Sequence, residues 1–170
     1  MKSILIIGGE GEGKTTLAKK ILSKINGNKV IMDLHGDYTE HQKNFTFSGF
    51  PAFMDKIANM KDTAFVFEEI TPFLRHGKTP DKLVEMLVLR RGGVGRVSGV
   101  KGNFFIFLFH SIHSVPMELI SFSNYIYLFK TGDNLTYIGQ KFKDYPQIIE
   151  PIKARWSTLK KYEFIDIKIR

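Results

Sequence analysis

A three-layer α/β fold, with a mostly parallel sheet between two helical layers, is what this 170-residue sequence predicts. Three observations lead there. The apolar run Ile4-Leu5-Ile6-Ile7 passes straight into the glycine-rich stretch 8–13 and then into a helical pattern. Four further apolar runs follow at 29–33, 63–67, 103–109 and 124–129, with helical segments among them, an alternation that builds parallel strands with crossover helices. The run 103–109 is almost continuously apolar, as a strand covered on both faces must be.

Lys2–Ile7 is the first strand. Residues 14–25 carry Leu17, Ile21, Leu22 and Ile25 at helical spacing, and the pattern breaks at Asn26-Gly27-Asn28. The second strand spans 29–33. Residues 40–49 are polar with Phe45 and Phe47 interleaved and Phe50 following, a loop holding one weak extended segment; Pro51 starts a short helix through Met60. Thr63–Phe67 is the third strand. A helix over 81–91 places Leu83, Met86, Leu87 and Leu89 as its apolar positions. The stretch 92–102 has five glycines with Arg96 and Lys101, a flexible basic loop. Strands four and five span 103–109 and 124–129. Thr136–Ile138 reads as a short strand, 146–160 as a helix and 163–169 as a final, alternating strand. Residues 1–170 read as a single domain, with a core over about residues 3–132 and a C-terminal helix and strand within 133–170.

Composition narrows the function classes. Apolar residues make up 43% of the chain, enough for a core, and the absence of cysteine excludes a disulfide scaffold and a Cys-ligated metal. No secretory signal is read, so the cytoplasm is the expected compartment. The longest unbroken apolar run, 104–109, is far short of the ~20 residues that span a bilayer. A membrane role would need a partner. The net charge of +8 exceeds what a nucleotide site requires and points to a larger polyanion such as nucleic acid.

Residues 8–15 read Gly8-Gly9-Glu10-Gly11-Glu12-Gly13-Lys14-Thr15, the pattern G-x-x-x-x-G-K-[ST] between a strand and a helix. Phosphates need several converging backbone N–H groups, and glycines at 8, 11 and 13 permit this by tolerating positive φ. The following helix adds its N-terminal amides and dipole. Lys14 brings a mobile charge to the β and γ phosphates, the Thr15 hydroxyl can hold Mg²⁺, and Thr16 completes the binding set. The expected ligand is ATP with Mg²⁺. The third strand ends in Glu68-Glu69: Glu68 is the candidate metal ligand through water, and Glu69 the candidate base for the attacking water. Most enzymes of this type have Asp where Glu68 stands.

The second strand ends Asp33-Leu34-His35-Gly36-Asp37-Tyr38, and the fourth ends His110-Ser111-Ile112-His113-Ser114-Val115-Pro116. His110 would lie beside the phosphate loop, placed to sense the γ-phosphate. His113 reads first as a structural residue, and His35 equally as structural or functional. No ligand spacing supports a metal site from His35, His110 and His113.

These segments together resemble the FtsK/HerA superfamily of DNA-pumping P-loop ATPases. The stretch 33–38 is similar to the family's D-x-H-G-E-Y. The turn 110–116 is similar to its Q-R-P-S-D-I-P, with His110 where Gln usually stands, and the strand 125–131 is also similar. The resemblance implies a RecA-like sheet of order 5-1-4-3-2, sequence-independent action on double-stranded DNA, and a homo-oligomeric ring, a hexamer or pentamer. It further implies an arginine from the neighbouring subunit at each ATP site, for which Arg90, Arg91 and Arg96 are the candidates. By size the chain resembles the compact genome-packaging ATPases of tailless, membrane-containing viruses and phages. That branch implies a partner at the capsid vertex or in the internal membrane, and association with the virion. Three other readings stand beside it: a helicase or conjugation-type motor outside any virus, a P-loop kinase of a small metabolite, and a non-enzymatic filament-assembly protein.

Overall fold

The computed structural model describes residues 2–33, 36–38, 42–43, 54–55, 57, 60, 62–74, 83–84, 87 and 103–169. Among these, strands β1 (Lys2–Ile7), β2 (Asn28–Met32), β3 (Gln42–Lys43), β4 (Thr63–Phe67), β5 (Phe104–Phe109), β6 (Tyr125–Phe129) and β7 (Phe164–Lys168) form one sheet. Its order is β3-β2-β4-β5-β1-β6-β7. The five inner strands are the five expected ones in the expected order. The structure adds β3, parallel, at one edge and β7, antiparallel, at the other. β3 is the weak extended segment of the 40–49 stretch.

Alternation along the inner strands sorts the core into two faces. Leu5, Ile7, Phe65, Phe67, Phe105 and Phe107 belong to one apolar cluster, while Ile4, Ile6, Val66, Ile106 and Leu108 belong to the other. The second face is covered by α1 (Lys14–Leu22) through Ala18 and Leu22. The first is covered by α2 (Met117–Phe122), α3 (Leu135–Lys141) and α4 (Pro146–Arg155), which contribute Leu119, Ile120, Ile138, Ile148 and Ile152. Phenylalanines stack across strands, Phe65 on Phe105 at 5.1 Å and Phe67 on Phe107 at 5.0 Å between centroids. Such stacking adds to area burial where β4 meets β5.

Three expectations need correction. Thr136–Ile138 is not a strand: it lies inside α3, because the Asn134 side chain accepts the Tyr137 N–H at 2.7 Å and caps the helix. The α4 helix ends at Arg155 instead of Lys160, and the first helix ends at Leu22 instead of Ile25, where three-residue turns replace helical bonds. The final strand alternates as expected, with Ile165 and Ile167 buried and Asp166 and Lys168 exposed. Edge position explains it: β7 is covered on one face only.

Candidate nucleotide site

The glycine-rich loop leaves β1 at the carboxyl edge of the sheet and is tied to both neighbouring strands. Gly8 N–H donates to Phe109 O at 3.0 Å and Gly9 N–H to Lys130 O at 2.8 Å. Gly11 (φ 71°) and Gly13 (φ 100°) take the left-handed conformation, as expected. Gly8 is needed for a different reason: a Cβ there would lie 2.6 Å from Phe129 Cβ, so the requirement is space and not positive φ. Gly13 is the N-cap of α1, which places Lys14, Thr15 and Thr16 in its first turn.

Lys14 is buried, and its Nζ donates to Gly9 O at 2.9 Å. The same ammonium lies 3.1 Å from His110 Nδ1, and His110 Nε2 lies 2.5 Å from Glu69 Oε2. Since an ammonium can only donate, Nδ1 is the acceptor and the ring proton sits on Nε2, directed at Glu69. Lys14, His110 and Glu69 thus form one chain of polar contacts. Burial lowers the Lys14 pKa, against the opposing field of Glu68, Glu69, Glu10 and Glu12. Glu69 itself sits at φ 53°, an unfavourable conformation for a residue with a side chain, and a strained backbone of this kind clusters at working sites.

Beside this chain, Thr15 Oγ1 donates to Glu68 Oε1 at 2.6 Å. Glu68 is buried, and its Oε2, like Tyr38 Oη, has no well-aligned hydrogen-bond partner. Burial raises the Glu68 pKa, partly offset by Thr15 and the nearby Tyr38 phenol. The two acids at the end of β4 therefore have separate surroundings, Glu68 facing the loop hydroxyl and Glu69 the histidine. A cavity of about 480 Å³ opens between the loop, both acids, His110 and Asp37.

Asp33 and Asp37 carried no assigned role in the sequence. Buried Asp33 accepts the Gly36 and Tyr38 N–H groups, each at 2.9 Å, and folds the end of β2 toward the cavity, with Asp37 in its wall. The signal for them was available: polar residues at the carboxyl end of a parallel strand adjoin ligand sites. Of the other expected residues, Glu10 lines the cavity, Glu12 is half-buried and Thr16 is exposed. The His113 ring lies against Tyr137, 5.0 Å between centroids, outside the Lys14–His110–Glu69 chain. His35, Arg90, Arg91, Arg96 and Lys101 lie outside the described residues.

Residues 1–141 match the sequence family described as Helicase HerA, central domain. Among curated proteins none matches the chain. Among solved structures the chain is similar to the genome packaging NTPase B204 from Sulfolobus turreted icosahedral virus 2 in complex with ATPγS. The identity is 15%, the TM-score 0.75, and the match covers 99% of this chain and 92% of that one. B204, the DNA-packaging ATPase from Sulfolobus turreted icosahedral virus, aligns at 18% identity and TM-score 0.70, again over 99% and 92%. A more distant likeness, at 14% identity and TM-score 0.50, is to the N-terminal domain of zonular occludens toxin from Neisseria meningitidis, over 79% of this chain and 78% of that one.

Proposed function

This chain belongs to the family of the helicase HerA central domain, and from that premise we propose that it is a Mg²⁺-dependent ATPase that translocates double-stranded DNA in viral genome packaging. The observation that carries the reading is the polar chain Lys14–His110–Glu69, closed around one cavity with the Thr15–Glu68 pair. The likeness of fold to B204 over 99% of the chain supports the packaging branch. The net charge of +8 supports a polyanionic substrate.

In this reading the loop amides and Lys14 bind the β and γ phosphates, whose oxygens replace Gly9 O as the acceptor of the Lys14 ammonium. Lys14 and His110 are in contact, so an arriving γ-phosphate disturbs both, and His110 senses it. Glu69 then loses its hold on the Nε2 proton and is released to accept a proton from the attacking water. Thr15 and Glu68 suit a Mg²⁺ ion: a hydroxyl and a carboxylate in contact, with a buried carboxylate oxygen lacking a well-aligned partner, match the hard oxygen ligands it takes directly or through water. When bound, the ion supplies charge neutralisation at the β and γ phosphates.

The working form is a homo-oligomeric ring of residues 1–170 in the host cytoplasm, with Arg90, Arg91 or Arg96 completing the neighbour's site. A capsid-vertex or membrane protein anchors it; no described helix is itself long and apolar enough to cross a membrane. Turnover measured against duplex DNA concentration, at low and moderate salt, tests the motor. Stimulation that weakens with salt is expected. A flat response by the assembled protein would favour a metabolite kinase instead.

A further inference from the structure

We infer that Tyr162 is the platform on which the base of the bound nucleotide stacks, an inference that rests on the nucleotide-binding reading above. Three observations lead to it. Tyr162 is 63% exposed, where nearly every other large apolar side chain among the described residues is covered. Its backbone is left-handed at φ 67°, a conformation unfavourable for a residue with a side chain. Its ring also reaches the phosphate loop: a Cβ built on Gly13 would lie 3.5 Å from Tyr162 Cδ1 and 3.7 Å from Phe129 Cε1.

The fold explains how a residue so late in the chain arrives there. β7 pairs antiparallel with β6, with Phe164 opposite Phe129. The turn before β7 therefore lies at the carboxyl end of β6, where Lys130 O holds Gly9 N–H. That turn is closed on itself, with Glu163 N–H donating to Lys160 O at 3.1 Å and Lys160 N–H to Glu163 Oε2 at 3.2 Å. It presents Tyr162 outward, with Lys161 Nζ 5.1 Å from the ring centroid.

The loop has two sides, and the triphosphate runs between them. The cavity side holds Lys14, Thr15, Glu68, Glu69 and His110 and takes the β and γ phosphates. Neither Gly13 nor Tyr162 lines that cavity, and a nucleoside leaving it past Gly13 meets the Tyr162 ring. A largely exposed aromatic ring offers a base a stacking surface, and the Lys161 ammonium over the ring adds positive charge there. Stacking of this kind reads the π-face and tolerates any base. ATP and GTP are therefore both accepted.

The test is calorimetric titration of the full chain with ATP and, separately, with inorganic tripolyphosphate, which has no base. Wild type is compared with Tyr162→Phe and Tyr162→Gly. Glycine removes the ring and also suits φ 67°, so the turn keeps its conformation. The Phe variant should bind both probes like wild type. The Gly variant should bind ATP about tenfold more weakly or worse, and tripolyphosphate unchanged. Unaltered ATP affinity in the Gly variant, or equal weakening of both probes, would overturn the platform. Wild-type protein that binds neither probe would instead overturn the nucleotide reading and this inference together, a pattern distinct from either of those.

Discussion

Replacing Lys141 with Met should destabilise the protein and lower turnover by on the order of a hundredfold while leaving nucleotide binding intact. Lys141 extends from α3 under the turn that follows β5, and its Nζ donates to Ile112 O at 2.6 Å, Val115 O at 2.7 Å and His113 O at 3.1 Å. Hydrogen bonds from a charged donor contribute about 1.5–3 kcal/mol each, so three would give about 4.5–9 kcal/mol unopposed. The opposing term is desolvation of the half-buried ammonium, which also lowers its pKa despite nearby Asp133. The net loss in the Met variant is then about 2–4 kcal/mol, a fall in Tm of roughly 4–15 °C for a chain of this size. The same turn begins at His110, and a shift of about 1 Å there can cost on the order of a hundredfold in turnover. Urea denaturation, nucleotide titration and ATP turnover on one preparation separate these effects. The pH dependence gives an independent check. In the folded protein Lys141 releases its proton below the ordinary 10.5, so between the two pKa values the unfolded chain binds more protons. Wild-type stability therefore rises with pH in that window, and its margin over the Met variant widens. A Met variant within about 1 kcal/mol of wild type, with full turnover, would refute the argument that Lys141 holds the turn.

Two further outcomes test the site. Glu69→Gln should still bind ATP, since the amide keeps the shape facing His110, but should lose about 10²–10⁴ in turnover because it cannot accept the water's proton; a rate near wild type would move that role to Glu68. Among single Ala replacements of Arg90, Arg91 and Arg96, at least one should lower turnover with little change in nucleotide affinity, and mixing it with Glu69→Gln should restore activity in mixed rings. Mixtures no more active than the sum of their parts would remove the arginine from the neighbour's site.

The parts legible in the sequence were those where one residue type answers one local requirement. Lys14 and Thr15 after a glycine loop, and a continuously apolar β5, could each be read without tertiary context. Thr136-Tyr137-Ile138 misled because β-branched and aromatic residues favour strands, while the deciding contact was the Asn134 cap one turn earlier. The grip of Lys141 on the 112–115 carbonyls left no trace in the pattern, because a lysine late in a helix is ordinary. Tyr162 was silent for the same reason. Its position beside Gly13 follows from β7 reversing against β6, which no window of neighbouring residues encodes.

Registers across three strands turn these separate segments into one site. β1 pairs with β5 so that Ile7 faces Phe109, and β4 pairs with β5 so that Phe67 faces Phe107. Continuing both ladders brings Gly8 level with His110 and Glu69 level with Phe109, one step short of the histidine. Glu68 and Glu69 leave β4 on consecutive residues, whose side chains would point to opposite faces in an extended strand. The left-handed backbone at Glu69 breaks that alternation, so both carboxylates serve the same cavity, one at Thr15 and the other at His110. A slip of one residue between β4 and β5 would send the phenylalanines to the wrong face and change the offset at which Glu69 meets His110. The stacked pairs Phe65–Phe105 and Phe67–Phe107 oppose that slip. Core packing between these two strands and the alignment of the acid with the histidine are therefore held by the same four rings.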